Sequence, residues 1–445
     1  MDHQDNYIHM KYYFKIFLLS LAIGIVNTLI FFLFLQFQII HNSSYIRQEL
    51  LTVGLILSAI PIQFLLLLLV SFFFKRNRTA LKMTSLLFIL VCIFTLWATS
   101  SEERSRYSNE RVYSQTEKYD YQQGISTPEG YPIQLLSESR FTLAMKGDRN
   151  PVTLLETGKV YSNQWGNGES TFKSSDDGDV VLPDSLKLYW YSFVEDKYYA
   201  LNTALDKALL SSYFKKGFRH DISGKLEETI QGKYNELIAG IAPGGDVVLW
   251  ISSFNDTREI AVFKAKEISA STLKDYDIIQ KDVRNEVLND TCTCEDNIQF
   301  RKIAHRNSPI PFGIWVNKYR TKFNWKIGIN DFGQTKMGLK FRFFNGERLQ
   351  LFNEEITQQI QQKSPLPEYL NLSFFKEEKK YNAYLEFDEQ ELYDTFEMLA
   401  YGNPDEPLIL KLDINSGLTQ TRVEVQSKGK TLSLKKMKAV EIYAK

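Results

Sequence analysis

Three long apolar stretches interrupt an otherwise polar chain, and all lie within its first 101 residues. Apart from Lys15 at the edge of the first, residues 14–40, 50–74 and 83–101 contain no Asp, Glu, Lys, Arg or His. About 20 such residues cross the roughly 30 Å hydrocarbon layer as a helix. Lipid offers no partner for backbone N–H and C=O groups, so each stretch is expected to close its own hydrogen bonds as a helical span. The first run is far longer than the core of a cleavable signal, which reads it as a retained anchor.

After the third stretch the pattern changes. Residues 102–126 begin with Ser, Tyr, Glu, Arg and Gln in no apolar rhythm, and read as a polar tether. From residue 127 onward, short runs of β-branched and aromatic residues alternate with turn residues, the signature of antiparallel strands. Residues 186–193 (LKLYWYSF) form the densest such run, with a partner expected at 197–199. Residues 247–252 and 258–266 read as a hairpin with one buried face. Asn345-Gly346 predicts a second hairpin through a type I′ turn, and residues 321–329 another strand.

Helical periodicity is confined to two segments. Residues 203–216 stop at Gly217. Residues 388–401 start at Asp388, with Glu391 placed as in a capping box. Residues 408–413, 421–426 and 431–444 read as closing strands. The fold class is α+β: a three-helix transmembrane anchor (1–101), then an antiparallel β-sheet-rich domain with a few helices (127–352) and its α/β continuation (353–445).

Charge refines the picture. Lys plus Arg equals Asp plus Glu at 53 each. A near-neutral β-rich part lacks the positive field that nucleic acid requires, so nucleic acid is not an expected partner. Lys11, Lys15, Lys75, Arg76, Arg78 and Lys82 gather at one end of the spans. The positive-inside tendency puts them in the cytoplasm and, after an odd number of spans, the β-rich part outside. Beyond Lys15 at the edge of the first, no Asp, Glu, Lys, Arg or His occurs within the spans, which argues against a transport pathway. Asn27 and Gln63 are expected to hydrogen-bond between helices.

Candidate chemistry is sparse. His220 and His305 are the histidines after the spans, and no G-x-S-x-G elbow, H-E-x-x-H or P-loop pattern occurs. Cys292 and Cys294 admit a local disulfide or no role, and lack the second pair that metal sites use. Asp176-Asp177-Gly178-Asp179 lacks EF-hand spacing. Gly244-Gly245 precedes a strand, so a tight turn is expected rather than a phosphate cradle. No catalytic residue, cofactor or metal site is assigned. Tyr189, Trp190, Tyr191, Tyr198 and Tyr199 cluster around one strand and offer two readings, a buried core or an exposed platform for a partner.

Several phrases in order, Tyr131-Pro132, Trp165-Gly166, Leu182-Pro183 before LKLYWYSFVEDKYY, GIAPGGDVVLW at 240–250, YRTKFNWKIGI at 319–329 and NGE at 345–347, resemble the bacterial family known as domain of unknown function 2931. The likeness covers roughly 130–352. It implies a cell-envelope location, and it marks Trp165, Gly166, Pro183, Pro243, Gly244, Gly245, Trp250 and Trp325 as positions of the fold rather than of catalysis. This chain departs from the family's lipoproteins by its three spans.

The expected function is therefore a membrane-anchored, non-enzymatic extracytoplasmic binding protein, associated with the bilayer and with a protein or envelope component. Protection against an incoming toxin and an envelope hydrolase with a dispersed active site are the alternatives.

Overall fold

A computed structural model describes residues 2–36, 46–99, 115–142, 153–155, 157–162, 164–172, 179–222, 225–289, 309–330, 336–357 and 362–444. The chain divides into a helical unit and a β-rich unit that starts at Glu117.

In the helical unit, α1 (Asp2–Gln36), α2 (Ile46–Phe73) and α3 (Arg78–Thr99) contain the stretches long and apolar enough to span, Met10–Leu33, Val53–Phe73 and Arg78–Ala98. Most of their outward side chains are apolar, as contact with acyl chains requires. Inside, Ile16, Ile23 and Leu67 pack together. Pro61 sits within α2, and the Ser20 hydroxyl of α1 donates to the Ile60 carbonyl beside it at 2.8 Å. Among the described residues, the bonds expected from Asn27 and Gln63 are not made by their carbonyl oxygens. Both side chains are buried, but their carbonyl oxygens have no partner among the described residues. Among the described residues, Ser20 and Tyr12 bond from α1 to α2.

The β-rich unit is built on one ten-stranded sheet. Its order is Ala439–Ala444, Lys379–Glu386, Pro367–Lys376, Met337–Phe343, Arg348–Phe352, Thr257–Lys264, Asp246–Ser252, Glu236–Ala242, Gln122–Ser126 and Glu169–Phe172. The sheet has two halves joined by a single cross-strand pair, Thr257 with Arg348. Each half packs against its own second layer. A seven-stranded sheet that includes Ser185–Ser192 and Lys197–Ala204 closes a core around Trp190, Leu237 and Leu249. A five-stranded sheet and the helix Glu389–Ala400 close a second core around Trp325, Phe374 and Phe396.

Several local expectations needed correction. The strand Gln122–Ser126 lies within the stretch read as tether and joins the large sheet parallel to Glu236–Ala242. The partner of LKLYWYSF runs for eight residues to Ala204, and its helix starts only at Lys207, because the Asp206 side chain accepts from the Leu209 N–H and sets the cap there. Asp246–Ser252 is buried on both faces, as befits a central strand between two layers.

The hairpin at Asn345-Gly346 exists, but only Gly346 takes a positive φ, of 88°. The Gly346 N–H returns to the Phe343 carbonyl, giving a three-residue loop rather than a type I′ turn. The two-residue turn with both φ values positive occurs at Glu377-Glu378, between paired Lys376 and Lys379. Asp388 caps its helix as predicted. Glu391, however, turns its carboxylate to the N–H groups of Lys435 and Lys436 instead of back to the cap.

Candidate functional site

The five aromatics around the LKLYWYSF strand do not make an open platform. Trp190 and Tyr199 stack at 5.3 Å and face the core between the sheets. Tyr189, Tyr191 and Tyr198 take the other face of the strand pair, where residues from Leu273 to Leu288 cover them. The Tyr191 hydroxyl donates to Asp196, the Tyr198 hydroxyl accepts from the Ile279 N–H, and the Arg284 guanidinium bonds the Phe193 carbonyl. Burial, followed by the Asp196 carboxylate, pushes the Tyr191 hydroxyl well above its ordinary range.

The Pro243-Gly244-Gly245 segment is a tight turn. Both glycines take positive φ, and a Cβ on Gly245 would meet the Tyr199 ring at 2.9 Å. The Gly244 N–H donates to Glu195, so a carboxylate of the chain itself already occupies that amide. Pro183 is buried just before its strand. Trp325 is buried in the second core, its indole N–H shared between the Ser364 and Pro365 carbonyls. His220 lies beside the Asp221 carbonyl in an antiparallel hairpin. His305, Cys292, Cys294 and Asp176 to Gly178 lie outside the described residues, and among the described residues no cluster of metal-ligating side chains occurs.

Trp165, Gly166 and Trp250 meet where the halves of the large sheet join. Trp165 and Trp250 contact edge to face at 4.8 Å. The Gly166 backbone lies directly against Gly346 of the other half. Arg342, only 2% exposed, links the two halves: it donates to the Trp165 carbonyl at 2.7 Å, to Glu368 at 2.9 Å and to Gln164. Nearby, the Glu259 N–H donates to Glu347, and Arg320 pairs with the Glu259 carboxylate at 2.8 Å. Burial still leads, and it raises the Glu259 carboxyl above its usual range, with Arg320 opposing and Glu347 assisting. Every charge named at this junction has a partner, while the indole N–H groups of Trp165 and Trp250 and one Glu259 carboxylate oxygen are buried with none among the described residues.

Arg348 is different. Along the half-sheet that contains Met337–Phe343, register aligns Arg348, Arg342, Tyr369 and Glu386 in one row. The next row is Gln350, Lys340, Asn371, Tyr384 and Glu441. The alternate residues, Leu339, Phe341, Leu370, Leu372 and Leu385, point into the core. The rows therefore form the outer face of the sheet. The Phe218–Ile222/Lys225–Gly232 hairpin rests on one end, where Asp221 accepts from Gln350.

On that face Tyr369 and Tyr384 are half-buried with ring centroids 5.5 Å apart, and Tyr443 of the edge strand is exposed. Half-buried Arg348 makes one long bond, 3.4 Å, to the Phe254 carbonyl, and among the described residues it has no carboxylate within ion-pair distance. Burial, then the like charge of Arg342, lower its pKa from the ordinary arginine value. Phe254 beside it is 84% exposed. Sequence reasoning overlooked this face. Its signal was the strict alternation in YLNLSF (369–374) and the weaker one in YNAYLE (381–386).

Residues 107–313 match the family model described as "Protein of unknown function (DUF2931)", and the three apolar helices precede that segment. The matched segment holds Trp165, Gly166, Pro183, Pro243, Gly244, Gly245 and Trp250, whereas Trp325 and the outer face around Arg348 lie beyond its end. No curated protein and no solved structure matches the chain.

Proposed function

We propose that the protein is a membrane-anchored interaction module, and that the outer face around Arg348 receives a protein partner presenting a carboxylate. The observation that carries this reading is a half-buried guanidinium with no carboxylate within ion-pair distance among the described residues, Glu236 acting on it only from further away, set between an exposed phenylalanine and a pair of tyrosines. A cation removed from water and crowded by a like charge is destabilised until an anion meets it, so a carboxylate seated there recovers electrostatic energy that water cannot supply. Tyrosine and arginine are the residues that most often anchor protein interfaces.

The six bases at one end of the spans favour a cytoplasmic N-terminus and an outward β-rich unit, in keeping with an envelope protein. A photo-crosslinking residue placed at Tyr369, Tyr384 or Tyr443 in intact cells tests the reading. One protein is expected to be captured from all three positions, and lost when Arg348→Glu is added. Capture of the same protein from a distant position such as Tyr276, or capture unaffected by Arg348→Glu, would overturn it.

A further inference from the structure

The α2–α3 connection is four residues long, and its basic pair is held in an unusual backbone. Lys75 and Arg76 both take left-handed φ, 47° and 62°, while the Arg76 N–H reaches back to the Ser71 carbonyl at 2.8 Å. Non-glycine residues occupy this region at a cost that structures commonly retain at ligand clamps. The turn faces the start of α1. The Arg76 guanidinium lies 4.7 Å from the centre of the Tyr12 ring, and the Tyr12 hydroxyl bonds the Ser71 hydroxyl at 2.7 Å.

Between them is a pocket of about 300 Å³, lined by Tyr12, Tyr13, Ser71, Phe72, Lys75 and Arg76. Tyr12 stands at the beginning of the first span and Ser71 at the end of the second, so the pocket lies at headgroup depth, where tyrosines and bases anchor helices.

We infer that this pocket holds the phosphate of an anionic glycerophospholipid. Lys75 and Arg76 supply the positive charge, and the bonded Tyr12–Ser71 hydroxyl pair, in which one O–H donates to the other, leaves one O–H to donate to a phosphate oxygen. Phe72 and Phe73, 79% and 73% exposed, give the attached acyl chain an apolar path along α2. A free phosphate shares the headgroup chemistry but has no use for that path.

The test uses the full chain, purified in a neutral detergent at salt high enough to screen exposed charges. Native mass spectrometry then counts retained phosphatidylglycerol against phosphatidylcholine. Wild type is expected to retain phosphatidylglycerol selectively. Arg76→Gln should weaken retention about fivefold, and Lys75→Gln with Arg76→Gln about 25-fold, following roughly 1 kcal/mol per base near a lipid surface. Arg78→Gln with Lys82→Gln removes the same charge from α3 and should leave retention intact. If both double variants lose lipid equally, or the two lipids are retained equally, the site is refuted. Should soluble glycerol phosphate displace the lipid at equal affinity, the pocket binds free phosphate and the lipid assignment falls. Circular dichroism of the single Arg76→Gln variant confirms that its helices persist.

Discussion

Replacing Gly166 by alanine tests whether the two halves of the large sheet are held together by direct backbone contact. Gly166 has φ 86°, and a Cβ there would lie 2.8 Å from both the Cα and the carbonyl oxygen of Gly346, atoms that cannot rotate aside. Gly429 provides the matched control, with φ 85° and nothing within 4 Å of its added Cβ. The left-handed conformation costs alanine about 1–2 kcal/mol at either position. The clash, present only at Gly166, adds about 1–3 kcal/mol of overpacking.

For a chain of this size roughly 2 °C of melting temperature corresponds to 1 kcal/mol. Gly429→Ala should therefore melt about 2–4 °C below wild type, and Gly166→Ala about 4–10 °C below it. Both are measured in one detergent at one scan rate by tryptophan fluorescence, because unfolding of a chain of this kind is often irreversible. Trp165 and Trp250 stand at the contact and report it directly. If the two variants melt together, the contact has slack and the junction does not depend on the paired glycines.

Two further outcomes follow from the same geometry. Glu377 and Glu378 occupy both left-handed positions of a two-residue turn, so Glu377→Asn with Glu378→Gly should stabilise the protein by about 1–2 kcal/mol, seen as a higher melting temperature; an unchanged or lower value would show that the strain is relieved elsewhere. Glu259 has a folded pKa raised above the ordinary 4.5 by burial, so the folded state binds the proton more tightly than the unfolded state. Its contribution is present in acid and is lost as pH rises from about 4.5 through the folded value. Wild type should then lose stability relative to Glu259→Gln over that rise, and the opposite slope would mean that Arg320, not burial, dominates.

What could be read from residue order was local. The three long apolar stretches committed their backbones to helices, since lipid supplies no alternative hydrogen-bond partner. Asp388 and Gly217 marked helix ends because caps satisfy donors and acceptors within one turn of chain. Alternation named which residues of a strand share a face. The Asn-Gly pair pointed to the right hairpin, although the strained type I′ geometry appeared at Glu-Glu, where strand pairing rather than residue preference dictates the turn.

The tertiary structure alone decided what covers each face. The period of two is the same in LKLYWYSF and in YLNLSF, yet the first strand buries Tyr191 and Phe193 on its second face while Tyr369, Asn371 and Ser373 of the second stay half-buried on theirs. That difference arises because residues from 273 to 288, some 80 positions further along the chain, fold over Tyr191 and Tyr198, while among the described residues no carboxylate reaches Arg348. The same holds for the contact of Gly166 with Gly346 and for the basic pocket between α1 and α2. Each joins residues far apart in sequence, and short-range pattern carries no information about such pairings.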